Sequence, residues 1–210
     1  MHTLTSNFRM HSTSGDGGTS LNLLRIIIMN KINFKMYGNL VSEKDATGEI
    51  ARIYNELRET VGNIMPHLQL HATYAIEDME CFMNPMKLTR NHPDVPLIWF
   101  ALMRLYIAKK ENFPYCISLN KNMLYKFNIS DKQIEEYTNN IDTAPLNFRE
   151  ILLLKKALKS IYDSHNFNKN DFDELRKEGY TDKTIYQIIT YSTGFIGIAK
   201  RLNTYLVKEN

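Results

Sequence analysis

The chain has only two cysteines in 210 residues. That is too few for the disulfide framework of a small secreted domain, and they lack the four-ligand spacing of a zinc site. A reduced, cytoplasmic setting is therefore expected. No run approaches the roughly 20 apolar residues needed to cross a bilayer. The nearest, LNLLRIIIM at 21–29, is short and broken by Arg25, so no membrane partner is expected. Charge of neither sign dominates: 26 Lys and Arg stand against 23 Asp and Glu, a formal net charge of +3. So mild a balance gives no reason to expect nucleic acid. The glycine-rich GDGGTS at 15–20 has no lysine after its last glycine and no strand before it, which excludes a phosphate loop. No Ser, His and Asp set can be ordered into a hydrolase triad from sequence, because that constellation is defined by geometry.

What remains is an ordinary globular composition, 43% hydrophobic and 23% charged, long enough for one domain with a sizeable core. Residues 1–29 read as a flexible leader, and 30–210 as a single all-α domain. In GEIARIYNELRETVG, Ile50, Ile53, Tyr54 and Leu57 recur at helical spacing, with Gly62 as a stop. Met79, Met83 and Met86 form one stripe, read as a core seam filled by adaptable side chains rather than a cofactor box. In HPDVPLIWFALMRLYIAKKEN, Asp94 is the expected N-cap and Pro96 the first turn of a central, mostly buried helix. Ser130 and Gln133 have capping-box spacing. APLNFREILLLKKALKSIYDSH is expected to turn Phe148, Ile151, Leu154, Leu158 and Ile161 inward. Gly179 closes a short helix before the last and longest one, in which Gly194 and Gly197 leave room for another backbone.

DFDELRKEGYTDKTIYQII has the outline of a helix-turn-helix. Residues 184–198, however, carry no charge and are rich in Ile, Tyr and Phe. A recognition helix must present polar and basic groups, so this one is read as buried. His67 and His71 are four apart, on one helical face. HLQLH lacks the intervening glutamate of a zincin and no third ligand is fixed by spacing, so packed or exposed histidines beside a pocket are preferred to a metal. His92 and His165 are expected to face solvent.

ENFPYCISLN at 111–120 raises the main chemical question. With Pro114 as first helical residue, Cys116 falls in the first turn, where unpaired amides and the helix dipole favour a thiolate. The competing reading is a buried structural thiol, the common fate of a free cysteine. Asn120 shares its helical face and could hydrogen-bond a thiolate, but cannot relay a proton. Cys81 is a conceivable but geometrically demanding disulfide partner.

The stretch LIWFALMRLYIAKKENFPYCISLN resembles the core of the carboxymuconolactone decarboxylase and alkyl hydroperoxidase D family. NFREILLLKKALKSIYDSHNFNKNDFDELRKEGYTDKTIYQIITYSTGFIGIAKRLN is similar to the second half of the same all-α fold. With the helix around IYNELRETVGNI, the likeness spans roughly residues 40–207. Enzymatic members carry a glutamate, a Cys-x-x-Cys pair and a histidine at set spacing. Here Cys116 matches the second cysteine, while Phe113, Asn120 and Ala101 stand where the first cysteine, the histidine and the glutamate would be. The resemblance implies thiol-based reduction of a hydroperoxide by Cys116, recycled by an external thiol in place of an internal disulfide. It also implies a pocket drawing on Phe113, Tyr115, Asn120 and His71, with no cofactor or metal. The missing relay groups keep a second implication open: a scaffold without redox activity that acts on or binds a small lactone, acid or apolar ligand. Apolar helices at 97–108 and 185–206 are expected to be covered in part by homo-oligomerisation.

Overall fold

The computed structural model describes residues 34–208, all of which fall in one compact unit. The leader expected over residues 1–29 lies outside the described residues. Among the described residues nine α-helices follow one another: α1 Gly48–Val61, α2 Pro66–Tyr74, α3 Met79–Arg90, α4 Leu97–Lys110, α5 Pro114–Tyr125, α6 Asp131–Asn139, α7 Phe148–Tyr162, α8 Lys169–Lys177 and α9 Asp182–Tyr205. Short 3₁₀ turns precede α3, α7 and α8. The only β-type pairing among the described residues is an isolated bridge between Met36 and Leu206.

Helix boundaries are set by local chemistry. Gly62 ends α1 at φ +89°, donating its N–H to the Arg58 carbonyl. Ser130 with Gln133, Asn147 with Glu150, and Asn168 with Asp171 each form reciprocal capping boxes. The start of α4 differs from expectation. Asp94 does not cap it; Pro96 occupies the N-cap position, and the Asp94 carboxylate accepts from the Thr184 hydroxyl on α9 at 2.7 Å. A cross-helix bond has taken the carboxylate away from the local one.

α4 is the central helix. Trp99, Phe100, Ala101, Leu102, Met103, Leu105, Ile107 and Ala108 are all fully buried. Burial of side chains of this size contributes on the order of 1.5–3 kcal/mol each for the larger ones. The Trp99 indole N–H reaches the Glu150 carbonyl at 2.9 Å, tying α4 to α7. α7 turns Leu153, Leu154, Ala157 and Ser160 inward. Phe148, expected on that face, is 72% exposed; its place at the first position of α7 rotates it outward. His165 is exposed as expected, whereas His92 is half-buried beside Phe100 and accepts from the Asp94 amide at 3.2 Å.

Among the described residues three hydrophobic clusters result. The main one joins α4, α6, α7, α8 and α9. The second gathers Leu70, Ala108, Phe113, Tyr115, Cys116, Ala199 and Leu202. The third packs Ile53, Tyr54 and Leu57 of α1 with Leu68, Ala72, Met79 and Met83 of α2 and α3, so the methionine stripe is core. Gly194 and Gly197 are exposed, with nothing within 4 Å of where their Cβ atoms would lie.

Candidate functional site

α4 and α5 form a tight helical hairpin, closed by Asn112 in the left-handed region at φ 54° and by the Phe113 amide donating to the Ala108 carbonyl at 2.8 Å. Asparagine tolerates that conformation better than most residues. The hairpin brings Arg104 of α4 against Asn120 of α5: its Nε donates to Asn120 Oδ1 at 2.9 Å. Its Nη1 donates to the Tyr191 hydroxyl of α9 at 2.9 Å. Among the described residues Arg104 has no carboxylate partner.

Pro114 is the first residue of α5 and Cys116 lies in its first turn, as expected. The environment is not the expected one. The thiol's residue is 2% exposed within a hydrophobic cluster. Burial pushes its pKa up to about 11, against a smaller downward pull from Arg104. A poised thiolate at an accessible site is thus replaced by a sealed, neutral thiol. Asn120 does not hydrogen-bond the sulfur either; its Nδ2 donates to the Cys116 carbonyl at 2.8 Å, one turn back along α5. Cys81 is exposed and both cysteines are free, so no disulfide links them.

Phe113, Tyr115, Asn120 and His71 are all buried, Phe113 and Tyr115 in the same cluster as Cys116. Tyr115 meets α2: its hydroxyl and His67 Nδ1 are 2.6 Å apart, and the Phe34 ring stands edge-on to it at 5.6 Å between centroids. Burial raises the Tyr115 phenol, with the His67 backbone amide pulling the other way. Burial lowers His67 to about 4, helped by the Arg104 and His71 charges, so the imidazole that shares this hydrogen bond with the phenol is neutral. His71 stacks on Phe82 at 4.2 Å with rings 17° from parallel. Its pKa is also lowered, first by burial and then by Arg201, against Asp78 and Glu77. Its Nε2 is buried without a hydrogen-bond partner. Among the described residues no group of His, Cys, Asp and Glu could hold a metal.

Neither a protein-family model nor a curated protein sequence matches the chain. Solved structures do match its fold. An uncharacterized peroxidase-related protein with an alkylhydroperoxidase AhpD core, from Ralstonia eutropha JMP134, superposes with a TM-score of 0.66 at 19% identity, over 83% of this chain and 92% of that one. A peroxidase-related protein from Silicibacter sp. TM1040 gives 0.65 at 15% identity, over 80% and 85%. The fold is that of the AhpD core. Ala101 and Asn120 are both buried in this chain. Neither can take up a proton near neutral pH.

The sequence reading gives Arg104 and Tyr191 no role, and takes His67 with His71 as packed or exposed histidines beside a pocket in preference to a metal pair. Arg104 had a signal: it is the one charge inside LIWFALMRLYIA. Tyr191 had none, because its role depends on how α9 lies across the α4–α5 hairpin. A separate groove of about 460 Å³ lies between α1 and α3, with Glu49, Glu56, Glu80 and Lys87 among its lining; no residue of the Cys116 cluster touches it. No helix among the described residues is long and apolar enough to cross a membrane.

Proposed function

We propose that the chain is an AhpD-fold protein whose functional centre is the cluster of Cys116, Arg104, Asn120, Tyr115 and His67. In this reading it binds or transforms a small acid, lactone or apolar ligand without thiol redox chemistry. The observation that carries this reading is the state of the thiol: 2% exposed and pushed up to about 11. A nucleophile for peroxide must be ionised and reachable, and this one is neither. Support also comes from Cys116's surroundings, which among the described residues are the apolar side chains of its cluster, with Arg104 as the charge that acts on it. The test is peroxide turnover in the presence of excess dithiothreitol, with dimedone trapping and mass spectrometry of the Cys116 peptide. The expected result is turnover no faster than in Cys116→Ala and no trapped adduct at Cys116. Turnover lost in that variant, with an adduct at Cys116, overturns the reading.

A second reading is favoured by the first-turn placement of Cys116 and the downward pull of Arg104. It is a hydroperoxide reductase in which the cluster opens before reaction. The Cys116 thiolate attacks the terminal oxygen of ROOH, forming the S–O bond of a sulfenic acid as the O–O bond breaks and ROH leaves after protonation. An external thiol then displaces water to give a mixed disulfide, and a second thiol releases reduced Cys116. The same assay separates the two readings.

Homo-oligomerisation belongs to the same proposal. Its support is the exposure of Tyr186 (73%) and Phe148 (72%), and the open surface at Gly194 and Gly197. Sedimentation as a monomer at micromolar concentration contradicts it.

A further inference from the structure

We infer that Arg104 is the anchor for a small organic carboxylate, with the Tyr191 hydroxyl as its second donor. The inference rests on the reading that the cluster around Cys116 is the functional centre, and it names the class of ligand.

A guanidinium half-buried inside an otherwise apolar helix is costly to keep without a counter-ion. Arg104 spends two of its donor groups on neutral oxygens, Asn120 Oδ1 and the Tyr191 hydroxyl. Its Nη2 has no protein acceptor among the described residues. Tyr191 already accepts from Arg104 with its oxygen, so its own proton is available to the same incoming group. Both side chains are partly exposed, whereas Asn120 and Cys116 behind them are sealed. A ligand therefore meets Arg104 and Tyr191 from the α4–α9 side and does not need to displace the core.

The surrounding charges point the same way. Arg104 disfavours protonation of His67, and Arg201 disfavours that of His71. Asp78 and Glu77 act on His71, and neither hydrogen-bonds Arg104. An anion at Arg104 thus supplies the missing negative charge. The donor set favours a carboxylate over a phosphate: one planar fork and one phenol match the two oxygens of a single carboxylate. The Phe100 ring, fully buried, packs edge-on against Tyr191 at 5.2 Å and holds that phenol beside Arg104. The alternative role for Arg104 is as counter-ion to a Cys116 thiolate, and the experiment distinguishes the two.

The probe is benzoate, titrated calorimetrically against the full chain, with benzyl alcohol as the uncharged control. Benzoate is expected to bind saturably at one site, and benzyl alcohol at least ~10-fold more weakly, as loss of a charge-assisted contact requires. Arg104→Gln, checked for folding by circular dichroism, is expected to lose ~10- to 100-fold in benzoate affinity. Tyr191→Phe, which keeps the ring and removes only the donor, is expected to lose a factor of about 5 to 10 and serves if Arg104→Gln fails to fold. Absence of benzoate binding to the wild-type chain at millimolar concentration overturns the inference, as does equal affinity in wild type and the folded variants. If peroxide turnover proves dependent on Cys116 while benzoate binding still requires Arg104, the anchor stands and the non-redox reading falls. The converse result leaves the non-redox reading standing and removes the anchor.

Discussion

Cysteine labelling measures the property on which the functional reading turns. A thiol raised from an ordinary value of 9.0 to about 11 is ionised to roughly 1 part in 10,000 at pH 7. An unperturbed thiol is ionised to roughly 1 part in 100. Ionisation alone therefore slows alkylation about 100-fold, and the 2% exposure of Cys116 adds the requirement that the structure open first. Cys81, exposed on α3, provides the internal control. With iodoacetamide at pH 7, followed by peptide mass spectrometry, the exposed Cys81 is expected to be labelled in the native protein. Cys116 is expected to lag by at least ~100-fold and to catch up only in denaturant. Repeated across pH in Cys81→Ser, the Cys116 rate should show no inflection below pH 9. Labelling of Cys116 as fast as Cys81, or an inflection near neutral pH, refutes the argument that burial outweighs the helix start.

His67 titrates at 6.5 when unfolded and near 4 when folded, so the unfolded chain binds the extra proton between those values and stability falls as pH drops through that window. The full effect is about 3 kcal/mol; urea midpoints between pH 7 and 4 should fall less steeply in His67→Gln than in wild type, and parallel slopes contradict the assignment. Asp171, with a side chain 4% exposed, accepts from Lys156, Lys159 and the Asn168 amide. Burial works against its charge, but these partners outweigh it and hold the carboxyl at about 2. Asp171→Ala is expected to cost ~1–3 kcal/mol, read as a fall in the denaturation midpoint, because it removes the acceptor of the Asn168 amide and the carboxylate partner of Lys159, while Lys156 keeps Glu174; a loss below ~0.5 kcal/mol contradicts a structural role for the pair.

The parts legible in the sequence are those fixed by near neighbours. Gly62, the Ser130–Gln133 box and Pro114 mark helix ends through contacts a few residues long, and each stands where spacing put it. The methionine stripe and the apolar α4 were equally readable, since periodicity reports burial directly. Failures came where a partner distant in the chain intervened. Asp94 gave up its capping role to Thr184, ninety positions away. Phe148 lies at the end of its helix, where periodicity no longer decides which way a side chain faces. The thiol is the instructive case: its place in the first turn was local and readable, whereas its burial depends on Leu70 of α2 and Ala199 and Leu202 of α9, which only the tertiary fold brings to it.

Magnitudes decide what that burial means for chemistry. A helix N-terminus favours a negative charge by ~0.3–1 kcal/mol, up to ~2 kcal/mol in partly buried settings, which lowers a pKa by little more than one unit. Desolvation of a fully buried group moves it by up to 3–5 units. Arg104 adds to the helix start, yet Cys116 still ends at about 11; among opposing effects of these sizes, burial wins. Adding positive charge near the sulfur is therefore a weak route to a nucleophile, and removing its cover is a strong one. That cover includes α2, which carries Leu70 into the Cys116 cluster and is held by the contact between Tyr115 and His67 at 2.6 Å. The two functional readings thus differ less in the residues they invoke than in the position of α2. With α2 seated, Cys116 is an inert wall of a site centred on Arg104. With α2 displaced, the helix start and Arg104 act on a solvated sulfur, and the thiol regains the character its place in α5 confers.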